Sequence, residues 1–300
     1  MRWKFAPPLT AFAVLSLLML GGCGGGDQPT ATEATASTGV GLEGSLQSGG
    51  GRTPVSEPTF IEVGKAPEGI AYASGSVYVA NVGGNSVSVV DTAGNKTVAT
   101  ITGAKRPTSV VASPDETRVY VSVLGKKTVA EIDTKSNTII RRLPGNGGQL
   151  AISPDGRWLY QSPGAAGVSR TDLGSGTARE LPGTDRTTVY AVSQDGSILY
   201  AQRVDSGDNN SLQPHLVRLR ATDGTVTRDT PLIADTLWSF AGDMLFDPEF
   251  GYLYVSMQGM NDGFSGVSGT TVQRYDPTTL ELKGTYDAGR DREVNVELGP

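Results

Sequence analysis

Three hundred residues suffice for one or two ordinary domains, and 19% charged residues with 40 glycines and 17 prolines favour a turn-rich all-β chain over a helical one. A net charge of −6 and a pI near 4.9 leave no overall basic field, so no nucleic-acid partner is expected. A single cysteine, Cys23, and a single histidine, His215, exclude an internal disulfide, a multi-histidine metal centre and any cysteine nucleophile other than Cys23.

The chain opens on MRWKFAPPLTAFAVLSLLMLGGC. Arg2 and Lys4 precede an apolar run from Leu9 to Leu20, which ends in small residues. The run is too short for the ~20 residues that span a bilayer, so residues 1–22 read as a secretory signal peptide. Leu20, Gly21, Gly22 and Cys23 resemble the bacterial lipobox. The resemblance implies that Cys23 is lipidated (palmitate and related acyl chains) and becomes the mature N-terminus, a membrane anchor. Gly24 in place of aspartate implies the outer membrane where a cell envelope has two. Losing Arg2 and Lys4 with the signal takes the net charge from −6 to −8. Residues 23–57 are mostly Gly, Ser, Thr and Pro, cannot bury enough apolar surface to offset the entropy of ordering, and read as a flexible tether.

Residues 58–300 carry an internal repeat. VYVANVGGNSVSVVDTAGNKTVATI (Val77–Ile101) recurs as VYVSVLGKKTVAEIDTKSNTIIRRL (Val119–Leu143), and more weakly at Leu159–Leu181. Tyr78, Tyr120, Tyr160, Tyr200 and Tyr254 recur at spacings of 42, 40, 40 and 54 residues. Each follows a turn: Ala73–Gly75, then SPDE at Ser113–Glu116, SPDG at Ser153–Gly156, SQDG at Ser193–Gly196 and DPEFG at Asp247–Gly251. Each unit accommodates four short strands, in the first about 69–73, 77–81, 86–91 and 97–101. Val77–Ala80 is continuously apolar, which suits burial on both faces, whereas Ser86–Val89 alternates and is expected to be half exposed. Four-stranded units of about 40 residues indicate a β-propeller.

At YVAN, SVSVVDT and SPDG the chain resembles the YVTN-repeat β-propeller family, over about residues 58–300. That resemblance implies an envelope or secreted propeller, often seven-bladed, and leaves function open. Five full repeats lie between about 66 and 287. Phe60–Val63 reads as an outer-type strand, and EVNVELGP (Glu293–Pro300) as an innermost strand reaching its turn. The expectation is five full repeats plus a partial sixth, truncated relative to a closed six- or seven-bladed ring; a five-bladed ring is the alternative.

Residues at repeated positions read as scaffold. Asp91, Asp133, Asp172 and Asp276 share one slot before a turn, where a carboxylate accepts bonds from the amides that follow. Function is expected where the repeat breaks. The strand order puts the loops between second and third strands on one face with the inter-blade loops, and the SPDG and DT turns on the other. Two long insertions, Arg203–His215 and Gln258–Gly269, share the first face in consecutive units. Lys65, Lys105, Arg106, Arg186 and Arg292 fall near the start of innermost strands and are candidates for a basic collar that binds an anion. Asp205 and Asp208, with Asp262, are candidate Ca²⁺ ligands without EF-hand spacing, so Ca²⁺ is the one cofactor considered. His215 lacks a G-x-S-x-G context for a catalytic triad, and Trp238 is a candidate aromatic floor or an ordinary packing residue.

The sequence therefore favours a non-catalytic, lipid-anchored binding module of the cell envelope. Its partners are the membrane, through the lipid, and a protein, glycan or anionic small molecule on the looped face. The alternative is an enzyme of the lactone hydrolase or quinone-linked dehydrogenase subunit type, with Asp205, Asp208 and Asp262 at its site.

Overall fold

In the computed structural model, residues 3–5, 59–164, 166–206, 212–232, 239–260 and 267–287 are described. A two-stranded pair, β1 (Trp3–Phe5) with β2 (Thr59–Ile61), precedes five four-stranded antiparallel sheets. The first sheet is β3 (Pro67–Ala73), β4 (Ser76–Asn81), β5 (Ser86–Asp91) and β6 (Lys96–Thr102). The second is β7 (Pro107–Ala112), β8 (Arg118–Val123), β9 (Thr128–Asp133) and β10 (Thr138–Pro144). The third is β11 (Gln149–Ile152), β12 (Trp158–Ser162), β13 (Val168–Asp172) and β14 (Ala178–Leu181). The fourth is β15 (Thr187–Val192), β16 (Ile198–Ser206), β17 (Leu212–Arg220) and β18 (Val226–Pro231). The fifth is β19 (Ser239–Asp247), β20 (Tyr252–Met260), β21 (Val267–Tyr275) and β22 (Leu282–Asp287). In every sheet the strands pair in chain order, so the chain is an all-β propeller of five four-stranded blades.

The blades stack through shared cores. Tyr78, Val87 and Val89 of blade one bury against Val110, Val119 and Val121 of blade two. Tyr120 of blade two packs with Leu150, Leu159 and Leu173 of blade three, and Tyr160 of blade three with Val189, Leu199 and Val217 of blade four. Tyr200 of blade four packs with Met244, Leu253 and Val255 of blade five. Each of these four tyrosines thus fills the seam to the next blade, and burial of each large apolar side chain contributes roughly 1.5–3 kcal/mol. Ile61 and Val63 cover the opposite face of blade one, over Val77, Val79 and Val90.

Polar ties follow the same direction. The Tyr78 hydroxyl donates to Asn137 Oδ1 (2.7 Å), Arg141 to the Leu173 carbonyl (2.7 Å) and Arg170 to the Ala221 carbonyl (3.0 Å). Innermost strands approach closely at their upper ends. A Cβ on Gly69 would stand 2.5 Å from the Thr108 carbonyl oxygen of blade two, which requires glycine there.

The turns behave as the sequence predicts. Ser113 and Ser193 hydroxyls bond Asp115 and Asp195 at 2.6 Å, and each serine oxygen also accepts the amide that opens the next strand, Arg118 or Ile198. The slot aspartates receive following amides: Gly94 to Asp91 (2.6 Å), Ser136 to Asp133, Ser175 to Asp172 and Thr279 to Asp276. One expectation is corrected. Ser86–Val89 is not half exposed; β5 is buried along almost its whole length. Blade two covers one of its faces and the segment around Ile61–Gly64 the other, and Ser86 and Ser88 are satisfied by the Asn81 side-chain amide at 3.3 and 2.9 Å. Partial exposure belongs instead to the outermost strand β6.

Candidate functional site

Backbone bonds establish the two faces. Thr92, Thr134, Leu173 and Ala221, which follow third strands, donate to Gly75, Thr117, Arg157 and Ser197 of the turn ahead of the second strand. On the opposite face Val82 and Leu124, which follow second strands, and Val204, two residues short of the end of one, donate to Ala66, Arg106 and Arg186 of the inter-blade loops. Lys65, Lys105, Arg106 and Arg186 and the described flanks of both insertions therefore share a face.

The described flanks of both insertions are strand rather than loop. In blade one the second and third strands have six residues each; in blade four they have nine, with Val204, Asp205 and Ser206 paired to Pro214, Gln213 and Leu212. Blade five extends likewise, with Gly259 and Met260 paired to Ser268 and Val267. The tips, 207–211 and 261–266, lie outside the described residues, and with them Asp208 and Asp262. Trp238 and Arg292 also lie outside.

The raised hairpin of blade four carries a charged network. Arg203 on β16 stands opposite His215 on β17. Its guanidinium grips Asp205 through Nε (3.0 and 3.1 Å) and Nη2 (2.8 Å), and reaches Asp229 on β18 at 2.6 Å. The other Asp229 oxygen lies 2.6 Å from His215 Nδ1. The bonds from Arg203 hold the Asp205 carboxyl below its ordinary range, with smaller help from the His215 and Arg186 charges. Asp205, raised above as a calcium ligand, is thus already neutralised by a bidentate arginine. Among the described residues no three His, Cys, Asp or Glu side chains gather as a metal site. Nor is any described serine, threonine or cysteine hydrogen-bonded to His215. Arg203 and Asp229 were not singled out from the sequence. Asp229 sits in an outermost strand of mixed polarity, and only the β17–β18 register brings it beside His215.

The basic candidates do not form one cluster of contacts. Lys65, Lys105, Arg106 and Arg186 are all exposed, at corresponding places in blades one, two and four. Arg106 and Arg186 hold left-handed backbone, φ 52° and 58°, and Ala66 after Lys65 does the same at 48°. Arg106 faces Glu68, a half-buried carboxyl on β3 that burial pushes up and the Arg106 charge pulls back. Arg186 instead adds positive charge beside Asp205. The geometry thus supplies paired charges around the looped rim: a guanidinium–carboxylate–imidazole network on blade four, and exposed cations beside it.

No family model matches the chain, and no curated protein matches it. Among solved structures it is similar to a chain of Kuenenia stuttgartiensis hydrazine synthase, with a TM-score of 0.61 and 18% identity, over 79% of this chain and 69% of that one. At that identity the likeness speaks for the fold alone, and it agrees with the five stacked four-stranded blades: the chain is built as a β-propeller.

Proposed function

We propose that the protein is a lipid-anchored binding module of the cell envelope, held to the membrane through Cys23 and presenting its looped face to a protein, glycan or anionic small molecule. The observation that supports this most is the pair of raised hairpins, β16–β17 and β20–β21, in neighbouring blades on the face that also carries Lys65, Lys105, Arg106 and Arg186. In the blade-four hairpin Val204, Asp205 and Leu212–Pro214 stay half-buried or exposed, so burial in the stacked core does not explain its length. The test replaces residues 206–212 and 260–267 with two-residue turns and measures capture of sulfated and phosphorylated glycans and of envelope proteins on an array. Loss of capture with unchanged melting supports the reading; unchanged capture sinks it.

The proposal includes a fold reading finer than five blades: a YVTN-repeat family propeller with a partial sixth unit. In its support, the innermost strands β3, β7, β11, β15 and β19 each pack on the next, yet β19 has no comparable packing against β3. A second functional reading, an enzyme of the lactone hydrolase or quinone-linked dehydrogenase subunit type, draws support from the His215–Asp229 pair. Calcium addition and chelation followed by thermal shift separate the two. A calcium-dependent shift abolished by Asp208→Asn favours the enzyme.

A further inference from the structure

The five recurring tyrosines do not share one environment. Tyr78, Tyr120, Tyr160 and Tyr200 are 1%, 4%, 1% and 3% exposed, each sealed by the innermost strand of the following blade. Tyr254 of blade five is only half buried. Its cross-strand neighbour Leu245 is 42% exposed, where the same position in blades one, three and four holds buried Ala71, Ala151 and Ala191. Arg274, opposite Tyr254, corresponds to Arg170 opposite Tyr160. Arg170 reaches a carbonyl of the next blade, whereas the Arg274 guanidinium lies over Tyr252 and Tyr286 of its own sheet, at 4.5 and 5.9 Å. The forward face of blade five is built like the other four and is uncovered among the described residues.

From this we infer that the forward face of blade five, around Leu245, Tyr254 and Arg274, is the docking surface for residues 293–298 of the same chain, laid down as an innermost strand. This rests on, and deepens, the reading of a partial sixth unit. At every covered seam the occupant is the segment that follows the outermost strand of the preceding blade, and 288–300 is the segment that follows β22. The spacing also matches. Val110, Leu150 and Met244, which meet Tyr78, Tyr120 and Tyr200, each lie four residues before the turn proline, Pro114, Pro154 and Pro248. Val296 lies four residues before Pro300. Strand alternation puts Val294 and Leu298 on the same side as Val296, and Asn295 and Glu297 on the other. A second copy of the chain is the weaker occupant. The face it would have to offer, the rear of blade one, is already covered by Ile61 and Val63.

The test uses the full chain with Cys23→Ala, so that introduced cysteines are the only thiols. Leu245→Cys is combined with Val296→Cys in one variant and with Asn295→Cys in another, and both are treated with a short bismaleimide. The expected result is intramolecular cross-linking several-fold faster for the 245/296 pair than for 245/295. Equal rates, or cross-links between chains in a dimer, overturn the docking. Hydrogen exchange on the chain with only Cys23→Ala separates the two readings. If 293–298 is protected but the 296 preference is absent, the partial sixth unit stands and its placement on this face fails. If 293–298 exchanges freely, both fall.

Discussion

Blades one and four follow the same plan from the turn face up to the recurring tyrosine, and they diverge above it. In blade one the hairpin closes at Val82–Asn85, just above Asn81, whose side-chain amide binds Ser86 and Ser88 in a buried polar cap. In blade four Arg203 and His215 stand at the level of Asn81 and Ser86, and the strands continue past them for three residues on each side, carrying Asp205 into the rim. Below that level, packing on both faces fixes nearly every side chain. From that level up, Arg203, Asp205 and His215 of blade four join no buried cluster, and the chain carries charge. The comparison is broken most severely by removing what the two blades share. Tyr78→Ala is expected to cost about 3–5 kcal/mol by denaturant unfolding, since it empties a seam and strands its hydrogen-bonding partner Asn137. Tyr200→Ala should cost about as much on the same scale, despite the different rim above it.

That division also explains what could be read from the sequence. The tyrosine period, the turn serines and aspartates, and the apolar run Val77–Ala80 all result from stacking, which leaves a periodic imprint. Alternation misled at Ser86 and Ser88, because a small hydroxyl covered by another segment, as Ser88 is by Gly64, is indistinguishable in sequence from one facing water. The two insertions were legible as departures from the repeat, but polar, β-poor segments such as RVDSGDNNSLQPH hide the fact that their flanks are paired strands. The Arg203–Asp229–His215 network was not legible at all. Its members are separated along the chain and meet only through two strand registers.

Smaller changes sharpen the contrast at the rim. Asn81→Ala should cost about 1–3 kcal/mol, because it removes the side-chain donor to the buried Ser86 and Ser88 hydroxyls and leaves Ser88 only the Gly64 amide at 3.3 Å. The loss is held toward the lower end because Asn81 Oδ1 is itself buried without a partner. Arg203→Ala in blade four breaks more bonds and should cost less, no more than about 1 kcal/mol, because Asp205 and Asp229 are exposed enough for water to take over. If Arg203→Ala proves the more damaging, the rim belongs to the core and the comparison fails.

The smallest effect tests the shared turn face through pH. The Asp195 carboxyl accepts bonds from the Ser193 and Ser197 hydroxyls and the Ser197 amide, which hold it down to about 2 from an ordinary 3.8. A depressed folded value means that the charged form contributes stability in full above 3.8, and that this contribution fades as pH falls toward about 2. Asp115 and Asp155 are lowered by the same kind of serine contact, from Ser113 and Ser153. Asp195→Asn should therefore melt below the parent at neutral pH and converge with it near pH 2. Carboxylates in the rim network are held by arginine rather than by serine, so salt should weaken Asp205 pairing and leave the Asp195 turn unchanged. A salt-sensitive difference between Asp195→Asn and its parent would mean that the turns are held by long-range charge rather than by local hydrogen bonds, and that the two faces of the propeller are not as distinct as their bonding implies.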